Sequence, residues 1–483
     1  MATHAHELTL LQLNDTHAYF APHQEVFWTG SGATYRPAGG YARIATLARQ
    51  IREERPGRVL FCDGGDALHG TAPAVRTQGR AVVPILNALG LAATTAHWEF
   101  AYGPHVLRER VGELAYPLLA CNVYDEQTGQ QAYPSHTIVE VSGLRIGIIG
   151  IASNIVDKTM PPAFSAGLRF TLGREEVPPL IARLRRDDRV DLVVLLSHLG
   201  FPQDMRLLAE VRGVDVCLSA HTHNRLYRPA RVGETIVIQS GCHGSFLGRL
   251  DLSIARGKIV DYRHELLTVG AELVPDPVVD ELVGAALAPY AAELAEVVGE
   301  TGTALARATG LEATMDNLLL QALRAHTGTQ LAFSNGWRYG APVPPGPITL
   351  NDLYNIVPMD PPVSTVDLTG EELVAMLEEN LERTFAPDPY GQMGGYVKRC
   401  LGLRASVKLE NPAGARIQQL FVGDEEVRPG RLYGAAFVTE QGVPSKYGHH
   451  HGAQPVHAVA ALRAHVRRQR PVRAELLGTF TLV

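Results

Sequence analysis

Six side chains of the kind that bind hard or borderline metal ions stand at the ends of expected strands in the first half of this sequence. They are Asp15 and His17 in L-Q-L-N-D-T-H, Asp66 in F-C-D-G-G-D, His198 in V-V-L-L-S-H, and His221 with His223 in C-L-S-A-H-T-H. A buried strand that ends in Asp or His delivers that side chain to the edge of a sheet, where open α/β folds bind ligands. Carboxylates mixed with imidazoles suit Mn, Fe, Zn or Co better than Ca or a thiolate-seeking ion. Four such strand ends in order, D-x-H first and H-x-H last, point to a two-metal hydrolase. Two ions roughly 3.5–4 Å apart share a water, lower its pKa and aim it in line at phosphorus or sulfur. One carboxylate must then bridge the ions, and Asp66 is central in the set. Asp15, His17 and His223 complete one ion. His198 and His221 serve the other, with His97, directly after a short apolar strand in A-T-T-A-H-W-E-F-A-Y-G, as its further ligand. The alternative is a set of satisfied core polar residues, against which stands the cost of burying Asp and His without partners.

The elements that must position these groups alternate between strand and helix over residues 7 to about 270. Strands are expected at 7–14, 58–63, 92–96, 118–122, 145–151, 191–198, 214–221 and 235–240. Several are continuous apolar runs, as strands covered on both faces should be. Helices are expected at 40–54, 79–89, 175–186 and 204–211, and a hairpin turning at Ser142-Gly143. The punctuation Pro275-Asp276-Pro277 opens an amphipathic stretch to about Val298, with Asp276 as N-cap and Pro277 at N1. It reads as a connecting helix, or alternatively as a core helix of the first domain. A second α/β domain follows, with helices near 315–326 and 370–383. The expected domains are therefore 1–272, a connecting helix over 273–298, and 299–483.

The bulk numbers agree with this division. A chain of 483 residues, 46% hydrophobic and 19% charged, is too long for one ordinary core. Its net charge of -6 argues against a nucleic acid polymer as partner. No run of 18 apolar residues is present, so no membrane partner is expected. M-A-T-H-A-H runs straight into the first strand without a charged or apolar leader, which leads to an expectation of cytoplasmic location as given, or periplasmic or extracellular location if a leader has been removed. Cys62, Cys121, Cys217, Cys242 and Cys400 form no C-x-x-C pair and are expected as free core thiols.

The order D-x-H, G-D, H-W-E-F, S-H, H-T-H resembles the calcineurin-like metallophosphoesterases, and more narrowly the two-domain 5'-nucleotidase family. A-H-W-E-F-A-Y-G at 96–103 is similar to that family's G-N-H-E-F-D-Y-G. The likeness extends to P-D-P at 275–277, G-P-I-T-L-N-D-L-Y-N-I-V-P at 346–358 and V-D-L-T-G-E-E-L at 366–373. It implies a four-layer α/β/β/α sandwich with a dinuclear site, followed by a smaller α/β domain that closes over the substrate. It also implies two divalent ions as cofactors, with Mn first and Zn, Fe or Co as alternatives, and a small-molecule phosphoester, nucleotide-like, as substrate.

Two departures from the pattern bear on the chemistry. Where the family has a metal-binding Asn followed by a His that assists catalysis, this chain has His97 and Trp98. Imidazole replaces an amide as ligand, but indole neither gives nor accepts a proton at useful pH. H-W-E-F-x-Y-G is similar instead to the SoxB thiosulfohydrolase branch, as are G-G-D-A-L-H-G at 64–70, L-A-F-S-N-G-W-R-Y-G at 331–340 and D-P-Y-G-Q-M-G-G-Y-V-K-R at 388–399. That branch implies a sulfur ester carried on a partner protein's cysteine. The alternative for Trp98 is a packing aromatic or a wall that restricts substrate shape. His69 and His243 are the candidates to replace the missing acid, against a reading as loop histidines near the mouth of the site. The second departure is S-N-G-W-R, shorter than the family's N-x-G-G-x-R, with no G-G-D-G-Y segment after it. Arg338 is the candidate anion contact, with a surface salt bridge as its alternative, and Tyr396 and Tyr447 are candidates to stack a base. His449–His451 reads as a solvated loop and Arg467-Arg468-Gln469-Arg470 as a solvated helix end. A catalytically weak binding module that kept the metals is the reading from another class.

Overall fold

Burial along each strand decides the layers. Every residue of Leu192–Ser197 and of Val216–Ser219 is buried, so these strands are covered on both faces. Phe246–Ala255 and Lys258–Thr268 instead approach alternation along their length, the mark of antiparallel strands with one wet face. The computed structural model describes residues 5–483, so the reading of M-A-T-H falls outside the described residues. The chain forms two compact units. One comprises the chain up to His23 together with Pro37–Pro289, and the other comprises Gln24–Arg36 together with Tyr290–Val483.

Besides the small pair Val123–Asp125 with Leu168–Phe170, the first unit holds a four-stranded and a six-stranded sheet. One has the order Lys258–Thr268, Phe246–Ala255, His6–Leu13, Val59–Asp63. The other has the order Ala230–Val232, Thr235–Ile238, Val216–Ser219, Leu192–Ser197, Leu144–Ile151, His136–Val141. Leu8, Leu10 and Leu60 of the first sheet share one buried core with Ile146, Val194 and Leu196 of the second. The opposite face of the first sheet, Leu11, Leu13 and Phe61, packs with Ile44, Ile85 and Val283 from helices. The opposite face of the second, Ile149, Val193 and Leu195, packs with Ile181, Leu184 and Leu207. The unit is thus the expected four-layer sandwich. Its registers align the strand ends: Leu13 lies parallel to Asp63, and Ser197 lies parallel to both Ile151 and Ser219.

Several expectations need correction. The segments 92–96 and 118–122 are not strands. They run extended but pair only as isolated bridges, Cys62 with Ala93 and Thr94 with Leu118, and Pro117 has no N–H to prolong that pairing. The helix expected over 273–298 is two helices, Pro277–Leu287 and Ala291–Leu294, with Pro289 between them, followed by the strand Val297–Thr301. Asp276 caps the first, its carboxylate accepting N–H bonds from Val278 (3.1 Å) and Val279 (3.3 Å). That helix packs through Val279 and Val283 into the first unit's core. The hairpin turn is as expected: Ser142 (φ 57°) and Gly143 (φ 73°) are both left-handed, as a two-residue turn matching strand twist requires.

In the second unit a five-stranded sheet has the order Arg399–Leu401, Leu331–Ser334, Leu432–Phe437, Pro362–Thr369, His449–His457. Helix Gly370–Phe385 starts with a capping box, Thr369 and Glu372 bonding each other's backbone N–H. His449–His451, expected in a loop, instead begins the edge strand. The three imidazoles stay exposed, and His450 Nδ1 lies 3.1 Å from the Asp367 carboxylate. The basic run closes helix Ala458–Arg468, as expected. All five cysteines are free and buried. No described helix is long and apolar enough to cross a membrane.

Candidate metal centre

Three of the four strand ends turn sharply, and there the turn residues themselves carry the chemistry. Asp15, His17, Asp66, His221 and His223 all adopt left-handed backbone (φ 52°, 48°, 56°, 73° and 58°). Strain of this kind persists only where the surroundings over-determine it. Here the loops after the first two strands hold each other: Gly64 N–H donates to Leu13 O (2.7 Å), Asp15 N–H to Gly65 O (2.9 Å) and His17 N–H to Asp66 O (2.7 Å). Gly65 (φ 91°) must be glycine, since a Cβ there would meet Thr95 O at 2.7 Å and His198 Nδ1 at 3.1 Å. The G-G-D spacing therefore follows from close approach as well as from chemistry.

All seven expected ligands converge, in two groups. Asp15, His17 and His223 bring donor atoms within 4.8 Å of one another, and so do Asp66, His97, His198 and His221. Asp66 Oδ2 lies 3.3 Å from His198 Nε2 and 3.4 Å from His97 Nδ1, and also 3.7 Å from His17 Nε2 of the other group. Asp66 thus stands between the two groups. Asp15 Oδ1 lies 3.4 Å from His223 Nε2 and 3.7 Å from His198 Nε2. Histidine nitrogens facing two carboxylates, and each other at 3.2 Å across His17 and His223, fit a pair of divalent cations of borderline character.

Charge agrees with this arrangement. Burial opposes the ionised form of Asp66, but His198 and His97 outweigh it and hold the carboxyl well below its usual range. Burial likewise opposes ionisation of Asp15, and His223 and His198 overcome it. Burial keeps His17 and His97 neutral, so each offers a lone pair. Burial opposes the charged form of His198, but Asp66 and Asp15 outweigh it and push it up to about 10. Its Nδ1–H donates to Gly64 O (2.6 Å), which turns Nε2 toward the carboxylates.

Residues that sequence reasoning passed over hold the candidate ligands in place. Asn14 Nδ2 donates to Asp15 Oδ2 (2.7 Å) and to Gly241 O (2.8 Å). Asp204, fully buried, accepts O–H bonds from Ser197 and Ser219 (2.6 Å each), joining the two strand ends that lead to His198 and His221. Glu99 accepts N–H bonds from His97 (2.8 Å) and Ala67 (2.7 Å). Glu99 lies in A-H-W-E-F-A-Y-G and Asp204 in the helix Phe201–Glu210, and only the three-dimensional pairing gives them a task.

His69 and His243 are both buried near this centre. The His69 ring stacks on Trp98 (4.6 Å between centroids, 17° between planes), and burial pushes it down to about 4. At neutral pH it is an uncharged imidazole with no proton to lend as a strong acid. His243 (φ 59°) is bound through its N–H to Asp15 O (2.7 Å), and its ring lies 6.3 Å from that of His223 and 6.4 Å from that of His17. In the second unit Arg338 Nη2 donates to Gly395 O (2.9 Å), and its guanidinium lies 5.3 Å from the Tyr396 ring centroid, as does that of Arg399. Tyr447 is bonded through its hydroxyl to Glu379 (2.7 Å), with Lys446 Nζ 5.0 Å from its ring centroid.

Residues 8–225 match the calcineurin-like phosphoesterase family, and residues 292–438 match the 5'-nucleotidase C-terminal domain. The chain is a hydrolase of the metallophosphoesterase/5'-nucleotidase family. The trifunctional nucleotide phosphoesterase YfkN of Bacillus subtilis is 24% identical over 86% of this chain, which spans only 30% of that protein's length. The 5'-nucleotidase of Diplobatis ommata is also 24% identical, over 86% of this chain and 77% of its own. Among solved structures, the sulfate thiohydrolase SoxB of Thermus thermophilus superposes with a TM-score of 0.93 at 27% identity, over 99% of this chain and 96% of that one. A 5'-nucleotidase precursor from Thermus thermophilus shares the fold, with a TM-score of 0.86 at 24% identity over 99% of each chain.

Proposed function

We propose that this chain is a dinuclear-metal hydrolase of anionic esters whose leaving group departs as its own anion, and that a sulfate thioester is its substrate class. The observation that carries this reading is Trp98. The position beside the ligand His97 holds an indole with no proton to give, stacked on a neutral His69. A sugar alkoxide is a strong base and leaves badly without a proton. A thiol ionises near a pKa of about 8.5, so a thiolate leaves without one. In the reaction R–S–SO3⁻ + H2O → R–S⁻ + SO4²⁻ + 2H⁺, water oxygen bonds to the sulfonate sulfur. The S–S bond then breaks with its electron pair on the departing sulfur. Two divalent ions, manganese foremost, would supply Lewis-acid polarisation of the sulfonate and acidification of water. Asp66 would be shared between them, with Asp15, His17 and His223 on one side and His97, His198 and His221 on the other. The likeness to SoxB over both chains, together with the H-W-E-F motif, supports the assignment. A cysteine on a carrier protein is the corresponding partner, and Arg338 is the candidate contact for the substrate's charge.

The second reading is a phosphate monoesterase, supported by the nucleotidase relatives. Against a nucleotide substrate stands the state of the two tyrosines, Tyr396 carrying two guanidinium groups and Tyr447 an ion-paired lysine and a bonded hydroxyl. Rates across a series of aryl phosphates of graded leaving-group pKa test the proposal. A steep fall in kcat/KM as that pKa rises is expected, and a flat dependence would show that a proton is being supplied.

A further inference from the structure

Asp66 and His97 must be held at a fixed distance for one ion to use both, yet neither sits in relaxed backbone. Asp66 is left-handed (φ 56°), and His97 has φ -149° and ψ -79°, outside the strand and helix regions. Glu99 reaches both segments. Its side chain is buried, with 3% of the residue exposed. One oxygen accepts the N–H of Ala67, immediately after Asp66 (2.7 Å), and lies 3.4 Å from Leu68 N, while the other accepts the N–H of His97 (2.8 Å). In return Asp66 Oδ1 accepts the N–H of Trp98 (2.7 Å). Two carboxylates thus cross-link one pair of segments reciprocally, one of them a candidate ligand and the other not. The Asp15 carboxylate, on the other side, is held differently, by the Asn14 amide (2.7 Å) and the His221 N–H (3.0 Å).

We infer that Glu99 is a positioning residue that sets His97 against Asp66 and thereby fixes the affinity of the His97, His198 and His221 metal position, leaving the Asp15, His17 and His223 position unaffected. The inference rests on the two-metal reading above. Glu99 touches no reacting atom; it acts through His97. Glutamine at this position would turn an N–H donor toward one of the backbone donors that Glu99 now serves, breaking one of the ties without emptying the space.

The test is calorimetric titration of the chelator-treated full chain with Mn²⁺. Wild type is expected to show two binding events. Glu99→Gln should leave one unchanged and weaken the other by about 10–100-fold, the usual cost of losing an outer partner of a ligand. His97→Ala should weaken that same event, and the double variant should be no weaker than His97→Ala alone. The metal-free melting temperature should stay within a few degrees of wild type. Equal weakening of both events, no weakening of either, or additive loss in the double variant would overturn the inference. Should Glu99→Gln fail to fold, Glu99→Asp carries the test. Its shorter arm cannot span both segments, so the same single event should weaken, and wild-type behaviour would overturn the inference. A wild-type chain that binds fewer than two ions would sink the two-metal reading and this inference with it. Two wild-type events with an indifferent Glu99 would sink this inference alone.

Discussion

Trp98 and Asp66 make opposite demands on substitution. Replacing Trp98 by His restores an imidazole beside His97, and general-acid help of this kind contributes roughly 10²–10⁴-fold. Trp98→His is therefore expected to raise hydrolysis of an alkyl phosphate at least about tenfold while changing hydrolysis of p-nitrophenyl phosphate little. An unchanged ratio of the two rates would remove the account of the missing acid. Asp66→Asn should remove more metal affinity than the roughly 10–100-fold that losing an outer partner costs. The reason is that Asp66 Oδ2 lies within 3.7 Å of histidines from both groups. Metal content measured after dialysis should fall below two ions per chain, and a variant still holding two would contradict the bridging role. The two groups of candidate ligands were legible in the sequence because Asp and His at the ends of apolar runs are costly unless used. Glu99 and Asp204 were not. A carboxylate that bonds backbone or hydroxyl groups leaves no spacing signature, only a three-dimensional one.

At the scale of elements, Asp204 ties the ends of Leu192–Ser197 and Val216–Ser219 through Ser197 and Ser219. Burial raises its carboxyl to about 7, with the two serine hydroxyls and His198 working the other way. A folded-state pKa above the ordinary value of 3.8 means that the native chain binds the proton more tightly than the unfolded one. The resulting stability is fully present below pH 3.8 and is lost as pH rises through 7. At about 1.4 kcal/mol for each tenfold change in proton affinity, the ceiling is about 4 kcal/mol. Asp204→Asn should therefore gain thermal stability relative to wild type as the pH is raised from 5 to 8, and a gap independent of pH would contradict this. In the second unit Asp316 is buried between Arg307 (2.9 Å) and Arg399 (3.0 Å). Asp316→Ala leaves two buried guanidinium groups without their anion and should cost about 3–5 kcal/mol in denaturant unfolding. The strands with strong apolar runs were legible because burial on both faces writes itself into composition. Residues 92–96 and 118–122 carry the same signal, but Pro117 and single-residue pairing deny them a ladder. The break at Pro289 was equally visible as a residue, yet the helical periodicity on either side of it masked two helices as one.

Across the whole molecule, fold and chemistry were unequally legible. The alternation of strands and helices followed from apolar periodicity, and the four layers from the resemblance, which extended over both halves. The assignment of Gln24–Arg36 to the second unit did not follow from sequence, since its strands His23–Thr29 and Gly32–Ala38 lie within a stretch otherwise belonging to the first. Ligands that bind only the native state stabilise it by mass action, about 2.7 kcal/mol at one hundred times the dissociation constant. Scanning calorimetry with and without EDTA should therefore show the chelator lowering the unfolding transition of the metal-bearing unit. A thermogram indifferent to chelator would argue against resident ions. In the reading proposed above, the bond cleaved joins sulfate to a thiolate leaving group at a two-metal centre. The most direct measurement offers the Mn²⁺-loaded chain a peptide carrying cysteine S-sulfonate or S-thiosulfonate beside 5'-AMP, and follows both anions by ion chromatography. Release of sulfate well ahead of phosphate, abolished by EDTA, is the predicted result. Release of phosphate with no sulfate would contradict the claim and make the chain a phosphate monoesterase.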